Sequence, residues 1–203
     1  MGNRAPTSPV PYVEDWRHRA PCRDEDPEIF FGEAGPASTA AARAVCASCP
    51  VRRPCLTEGI REPHGVRAGL TEAERDPFGR AYAVYRELVA AAHDALAQVA
   101  AGDPGLREAL AAVEAEADAV GSLALTVAAG GADEAELRDL AAQALDARQA
   151  TAAALGELYL RPLDGMDRAV TRLMAAAARA AAVHTTLAVA PAAVSVPVFG
   201  AVA

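Results

Sequence analysis

The sequence predicts an all-α protein, in which a small cysteine-bearing helical domain precedes an antiparallel four-helix bundle. Three observations support this prediction. After residue 79, four long segments carry apolar residues spaced by threes and fours, the period of an amphipathic helix. The segments are joined by short connections containing Gly, Pro or Asp, which favours antiparallel neighbours. All four cysteines lie within the first 55 residues, ahead of these segments.

The first part of the chain is expected to consist of short helices separated by proline and glycine. Residues 1–13 are predicted to be a disordered arm, because three prolines there oppose helix formation. Asp15 caps the first short helix, and either Ser38 or Thr39 caps the helix that carries the cysteine pair. Helices are expected over residues 16–19, from 27 onward, from 38 or 39 to about 49 and from 51 to about 62, with a loop over 32–36.

The four cysteines, Cys22, Cys46, Cys49 and Cys55, require one common explanation. Cys46 and Cys49 form a C-x2-C pair and, as residues i and i+3, emerge on one face of a helix. Four thiolates complete either a tetrahedral zinc site or a [4Fe–4S] cluster. Structural zinc sites usually present two short-spaced pairs, and here one pair is short, so the spacing favours the cluster. Two disulfides are the third alternative, because nothing points to an oxidising compartment.

The cysteines belong to a longer pattern. DWR at 15–17 precedes Cys22, DPEIFF follows at 26–31, VCASCPVR spans 45–52 and GVRAGLT spans 65–71. In order and spacing, residues 12–76 resemble the WhiB-like family of actinobacterial iron–sulfur transcription regulators. The family pattern is C-xn-C-x2-C-x5-C, followed by a glycine-bounded turn and a short basic tail. This chain instead continues for more than a hundred residues.

The resemblance implies a [4Fe–4S] cluster held by the four cysteines and sensitive to oxygen or nitric oxide. Loss of the cluster would free the cysteines to form disulfides. It also implies a role in transcription through DNA or the sigma factor of RNA polymerase. The expected surroundings of the cluster are Trp16, Phe30, Phe31, Arg52 and Arg53, with the guanidinium groups offsetting its negative charge. Structural alternatives are an aromatic anchor for Trp16, simple core for the phenylalanines and solvated surface for the arginines.

The turn Gly65-Val66-Arg67-Ala68-Gly69 is the expected partner contact. In the family this turn usually has the sequence G-[VI]-W-G-G, so Arg67 replaces a tryptophan and Ala68 replaces a glycine. The family tryptophan contacts the sigma factor, so Arg67 bears directly on that contact. Thr71 and Glu74 form a capping box that starts the next helix. Arg67, Arg75 and Arg80 are expected on a solvated face, with phosphate contact as the alternative.

Pro77 and Gly79 are predicted to separate an iron–sulfur domain over residues 14–76 from an alanine-rich bundle over 78–190. Within the bundle, helices are expected from Arg80 to Ala101, from Pro104 to the glycine pair at 130–131, from Asp133 to Arg161 and from Asp164 onward. Residues 191–203 are predicted to be a flexible tail. His93 and His184 lie near the inward stripes, but no carboxylate falls clearly inward, so a metal site in the bundle is not expected. The alanine-rich faces also suit a homodimer.

Charge and composition restrict the function further. Residues 1–80 carry eleven arginines and twelve acids, a net charge of −1, whereas residues 81–203 carry eight arginines and fifteen acids, a net charge of −7. Any DNA contact is therefore expected in the first part or through a partner. The sequence shows neither a signal peptide nor a persuasive membrane span, so a cytoplasmic protein is expected. Without a catalytic constellation, an enzyme is not expected; the alternatives are a structural zinc-binding interaction module and a thiol–disulfide reductase using Cys46 and Cys49.

Overall fold

The structure, a computed structural model, describes residues 16–31, 36–158 and 164–188. Within them, two short 3₁₀ helices, Trp16–Arg19 and Pro21–Asp24, precede the α-helices. The α-helices are α1 Glu28–Phe31, α2 Pro36–Ala47, α3 Arg52–Gly59, α4 Glu72–Val99, α5 Leu106–Ala129, α6 Glu134–Glu157 and α7 Asp164–Ala188. The described residues contain no β-strand, so the all-α prediction is confirmed. The arm predicted over 1–13, the tail over 191–203 and most of the loop over 32–36 lie outside them.

The short helices of the first part lie close to their predicted positions. Asp26 accepts a hydrogen bond from the backbone N–H of Glu28 at 3.0 Å and so starts α1. The start predicted for α2 is wrong, because the helix begins at Pro36 rather than after a cap at Ser38 or Thr39. Proline is well suited to this first position, since its fixed φ is helical and its missing N–H would have no intrahelical acceptor.

Helix α4 corrects the expected start of the first long helix. The helix begins at Glu72, not at Arg80, and runs through Pro77 without interruption. The capping box predicted at its start is confirmed: Glu74 Oε2 accepts from the backbone N–H of Thr71 at 2.8 Å and from its hydroxyl at 2.9 Å. Pro77 lies in the second turn, where its ring removes one backbone hydrogen bond near the helix start. The division into two domains at this point stays a prediction, and a continuous helix crosses it.

The long helices form the predicted bundle, with α5 at its centre. Arg86 of α4 contacts Asp118 of α5 at 3.9 Å, and His93, later in α4, contacts Glu114, earlier in α5, at 3.4 Å. The two helices are therefore antiparallel. Helix α5 packs against α4, α6 and α7, and α4 also packs against α7. Helix α6 packs mainly on α5 and reaches α7 through the ion pair between Arg148 and Asp167.

One hydrophobic core runs from the cysteine-bearing part into the bundle. Leu56 of α3 and Leu70 of the following turn are fully buried in the same cluster of side chains as Phe78, Tyr85 and Leu173. The expectation that no carboxylate lies clearly inside the bundle is wrong. Glu116 is only 8% exposed, and the Arg148 guanidinium faces it at 3.8 Å. None of the described helices has the combined length and apolar character that a membrane span requires.

Glu74 connects α2 to the start of α4. Its carboxylate accepts hydrogen bonds from Arg43 Nη2 at 2.5 and 2.6 Å, and Arg43 Nε donates to the Gly69 carbonyl at 3.2 Å. Burial alone would raise the pKa of Glu74, but the hydrogen bonds from Arg43 and Thr71 outweigh it and lower this pKa. The ionised carboxylate therefore stabilises the packing of α2 against the α4 N-terminus.

We expect Glu74→Gln to lower the free energy of unfolding at neutral pH by about 1 to 2 kcal/mol, after allowing for partial exposure. Because the folded pKa lies below the unfolded one, this contribution is complete above the unfolded pKa and is lost as pH falls through the folded pKa. Urea unfolding over an acidic pH series checks this, with the exposed Glu72→Gln of the same turn as control. Equal pH profiles for the two variants would contradict the prediction.

Candidate functional site

The structure brings the four cysteines to one cavity of about 220 Å³. Cys22 lies in the 3₁₀ helix Pro21–Asp24, Cys46 in the last turn of α2 and Cys55 in α3. Cys49 follows α2, in a turn where its N–H donates to the Cys46 carbonyl at 3.2 Å. All four are free thiols in the structure. Residues far apart in sequence thus converge because three short helices surround one space.

The thiols are held in surroundings that oppose their ionisation. Burial, together with the neighbouring Cys55, Cys49 and Cys22, raises the pKa of the Cys46 thiol to about 12. Burial is also the main cause of the raised pKa of Cys22 and of Cys55. Four thiolates in one cavity repel one another, so a cationic occupant is what stabilises the deprotonated set.

Two backbone N–H groups point at two of the thiols from the turn after α3. The N–H of Gly69 bonds to the Cys46 sulfur, and the N–H of Ala68 bonds to the Cys55 sulfur. Arg67 and Leu70 close the turn, each donating its N–H to the other's carbonyl at 2.9 Å. Hydrogen bonds to ligating sulfurs are a means by which proteins adjust iron–sulfur clusters.

The direction of these two N–H groups depends on a backbone with positive φ angles. Ala68 has φ of 51° and Gly69 has φ of 83°, as in the two-residue turns that close tight hairpins. Positive φ is unfavourable for alanine, by roughly 1 to 2 kcal/mol. The surrounding contacts hold Ala68 there: it is 1% exposed and packs in the main core.

The cavity is lined by positive charge. Among the described residues, no acidic side chain contributes to its wall, whereas four arginines do so: Arg17, Arg23, Arg52 and Arg67. Arg17 is paired with Glu58, and Arg23 lies 3.4 Å from Asp24. Within the described residues, neither Arg52 nor Arg67 has an acidic partner. These positive charges offset the negative charge of the four thiolates together with any metal centre that they hold.

The structure places some of the side chains expected around a cluster at the cysteine cavity. Trp16 and Arg52 line the cavity. Phe30 is buried with Ala42, Cys46 and Val66 in a small cluster behind it.

Two other side chains lie elsewhere. Phe31 is 54% exposed, with the Arg67 guanidinium over its ring at 5.3 Å from the centroid. Arg53 turns away and donates to the Ser122 hydroxyl of α5 at 2.5 Å, so it is outside the cavity.

The turn predicted to contact a partner lies against the bundle at one end. Gly69 faces His184 of α7, and a Cβ at Gly69 would lie 3.3 Å from the His184 ring. His184 Nε2 is 3.2 Å from the Ala128 carbonyl, and burial lowers the pKa of this histidine. The Arg52 guanidinium lies against Gly131 and leaves no room for a side chain there. The bundle therefore supports the rear of the cysteine site.

Sequence reasoning missed the function of Arg75. The side chain is 1% exposed, which corrects its expected place on a solvated face. Arg75 Nη1 donates to the carbonyls of Gly65 and Leu70, each at 2.7 Å, and Nη2 donates to that of Glu62 at 2.8 Å. It thus holds both ends of the turn that contributes the sulfur-directed N–H groups. The capping box one turn earlier could have indicated that this stretch packs tightly.

The donor set and the cavity are compatible with an iron–sulfur cluster. Within the described part of the chain, no three Cys, His, Asp or Glu side chains already lie close enough together to hold one metal ion. The sulfurs instead surround a space, as a larger centre such as a cubic iron–sulfur cluster requires.

Comparison with known proteins identifies the cysteine-bearing part. Residues 16–78 match the family model described as "Whib: Transcription factor WhiB". The chain is 47% identical over 72 residues to transcriptional regulator WhiB1 of Mycobacterium tuberculosis, covering 32% of this chain and 86% of that protein. It is 43% identical over 99 residues to transcriptional regulator WhiD of Streptomyces coelicolor, covering 44% of this chain and 86% of that protein. No solved structure matches significantly. With four cysteines around one cavity and this similarity over most of the relatives' length, the chain belongs to the WhiB family.

Proposed function

We propose that this chain is a transcription regulator, not an enzyme, that holds one [4Fe–4S] cluster on Cys22, Cys46, Cys49 and Cys55. The observation that carries the proposal is the convergence of these four thiols on one cavity in a chain of the WhiB family. The relatives' names as transcriptional regulators support the regulatory function. The expected cytoplasmic location is part of the proposal.

The chain's own residues perform four tasks toward such a cluster. The four thiolates ligate it, and the N–H groups of Ala68 and Gly69 bond to two of the sulfurs. Guanidinium groups on the cavity wall offset the negative charge, and Trp16, Ala20, Val45 and Val51 restrict access of water. When bound, the cluster supplies an iron centre whose integrity responds to oxygen or nitric oxide.

The response is transmitted through the turn over residues 65–69. Two of its N–H groups bond to cysteine sulfurs, so a chemical change at these sulfurs acts directly on the turn. Freed thiols such as Cys46 and Cys49 then form a disulfide, each pair losing two protons and two electrons to an oxidant such as dioxygen. A change in the turn alters the surface available to the transcription machinery.

The proposed partners are DNA and the sigma factor of RNA polymerase. Residues 81–203 carry a net charge of −7, so phosphate contacts belong to the cysteine-bearing part or to the partner. A homodimer through the C-terminal helices is a further element of the proposal. Among the described residues, the bundle exposes the large apolar side chains Val84, Val99 and Leu145.

Anaerobic purification of the full chain, with measurement of iron, sulfide and zinc, tests the cluster. We expect a brown protein with about four iron and four sulfide per chain, and loss of both in Cys46→Ala. Ser48→Ala, an exposed change within the same C-x2-C segment, is the control and is expected to retain them. A colourless protein that holds about one zinc after anaerobic reconstitution would favour the structural zinc module. Catalytic turnover of a protein disulfide would favour the reductase.

A further inference from the structure

We propose that Arg67 is the built-in counter-ion of the cluster, giving its cavity a fixed positive charge and an N–H donor that raise the cluster's reduction potential. The inference deepens the proposed function and rests on it. It concerns the residue that departs from the expected family turn and assigns that residue to the metal centre.

The position of Arg67 is the first argument. Its side chain lines the same cavity as the four cysteines. Its Nε is buried and has no hydrogen-bond partner within the described part of the chain. A buried donor without an acceptor is unfavourable, and such groups are rare in folded proteins. A cavity occupant with sulfur acceptors would remove this penalty.

The second argument is that Arg67 is held in place. Its backbone is fixed by the reciprocal hydrogen bonds with Leu70 at 2.9 Å. Its stem packs on Gly59, where a Cβ would lie 2.9 Å from Arg67 Cγ. The guanidinium lies over the Phe31 ring, 5.3 Å from its centroid, within the range of a cation–π interaction. The charge is therefore confined beside the cavity instead of moving freely in water.

The third argument is electrostatic. The Arg67 guanidinium carries a positive charge in the wall of the cavity that the four cysteines line. The same charge favours the more negative of any two states of a centre in the cavity. One-electron reduction makes a thiolate-ligated cluster more negative by one unit, so a fixed cation raises the reduction potential.

Arg52 and Arg53 contribute less to this effect. Arg52 lines the cavity, but its guanidinium lies against Gly131 of the bundle. Arg53 Nη2 is bonded to the Ser122 hydroxyl outside the cavity. This contrast makes Arg53 a matched control for the removal of a nearby arginine.

The test is an anaerobic spectroelectrochemical titration of full-length, cluster-loaded protein. We expect Arg67→Met to lower the equilibrium constant for reduction at least tenfold. For one electron this makes the midpoint potential more negative by about 59 mV or more. Arg67→Lys, which keeps the charge, should have a midpoint potential close to that of the wild type. Arg67→Gln keeps a donor without the charge, so its midpoint potential should lie between those of Arg67→Lys and Arg67→Met. Arg53→Met should match the wild type. Equal potentials in Arg67→Met and Arg53→Met would overturn the proposal.

Iron analysis separates the two hypotheses. If the wild type and Arg67→Met each hold four irons but share one potential, Arg67 is not the counter-ion and the proposed function stands. If the reconstituted wild type holds no cluster, the proposed function fails and this inference fails with it. If Arg67→Met does not load iron, Arg67→Gln gives the comparison without charge. Circular dichroism verifies that each variant is folded.

Discussion

Replacing Arg75 by methionine is expected to lower the free energy of unfolding by about 2 to 4 kcal/mol, because each buried carbonyl left without a donor is unfavourable by roughly 1 to 3 kcal/mol. The guanidinium donates to the carbonyls of Glu62, Gly65 and Leu70, at 2.7 to 2.8 Å. Methionine keeps much of the apolar stem but leaves the Glu62 and Gly65 carbonyls without the Arg75 donor, whereas the Leu70 carbonyl keeps its hydrogen bond from the Arg67 N–H.

Urea unfolding of the full chain measures this effect. Arg80→Met on the same helix is the control, because the Arg80 side chain is 71% exposed and its ion pair with Asp76 at 2.7 Å is a surface pair. Such pairs contribute about 0 to 1 kcal/mol. We expect Arg75→Met to lower the free energy of unfolding more than Arg80→Met. Similar losses of stability in both would show that Arg75 does not hold the turn.

Arg75→Met also tests the connection between the turn and the metal centre. Gly65 and Leu70 bracket the residues whose N–H groups bond to Cys55 and Cys46. If the proposed function is correct, the Arg75→Met protein is expected to release iron faster than the wild type. The comparison is made in air and without urea. Unchanged iron release together with reduced stability would separate the structural function of Arg75 from support of the cluster.

Sequence reasoning succeeded where a feature depends on neighbours in the chain. The Thr71–Glu74 capping box and the Asp133 cap, which accepts from the Glu136 N–H at 2.8 Å, involve residues within one helical turn. In these caps local geometry determines the contact, so the residues alone are sufficient to predict it. The C-x2-C pair differs, because α2 ends at Ala47 and Cys49 lies in the turn after the helix on which it was predicted.

The features that were missed depend on distant packing. Arg75 is buried because carbonyls from the preceding loop surround it, and Arg53 bonds to Ser122, a residue 69 positions away. Ala68 adopts positive φ because both ends of its turn are fixed elsewhere. Pro77 is tolerated in α4 because only one hydrogen bond near the start of a 28-residue helix is lost.

Phe78→Ala is expected to destabilise the chain by about 3 to 5 kcal/mol, the range for removing a buried phenylalanine side chain. Phe78 is fully buried just beyond the predicted domain boundary, in the same core as Leu56 and Leu70. Its ring lies 6.1 Å from that of Tyr82. Because this core is shared, the loss is expected to weaken the cysteine-bearing part and the bundle together.

Two probes of urea unfolding distinguish a shared core from two independent domains. Fluorescence of Trp16, the single tryptophan, reports on the cysteine site, and far-ultraviolet circular dichroism reports mainly on the long helices. We expect coincident transitions in the wild type and an equal shift of both in Phe78→Ala. Val84→Ala, at a side chain that is 47% exposed on the same helix, should shift neither by more than about 1 kcal/mol. Separate transitions would instead establish the boundary at Pro77 as a true division, because a shared core must unfold as one unit.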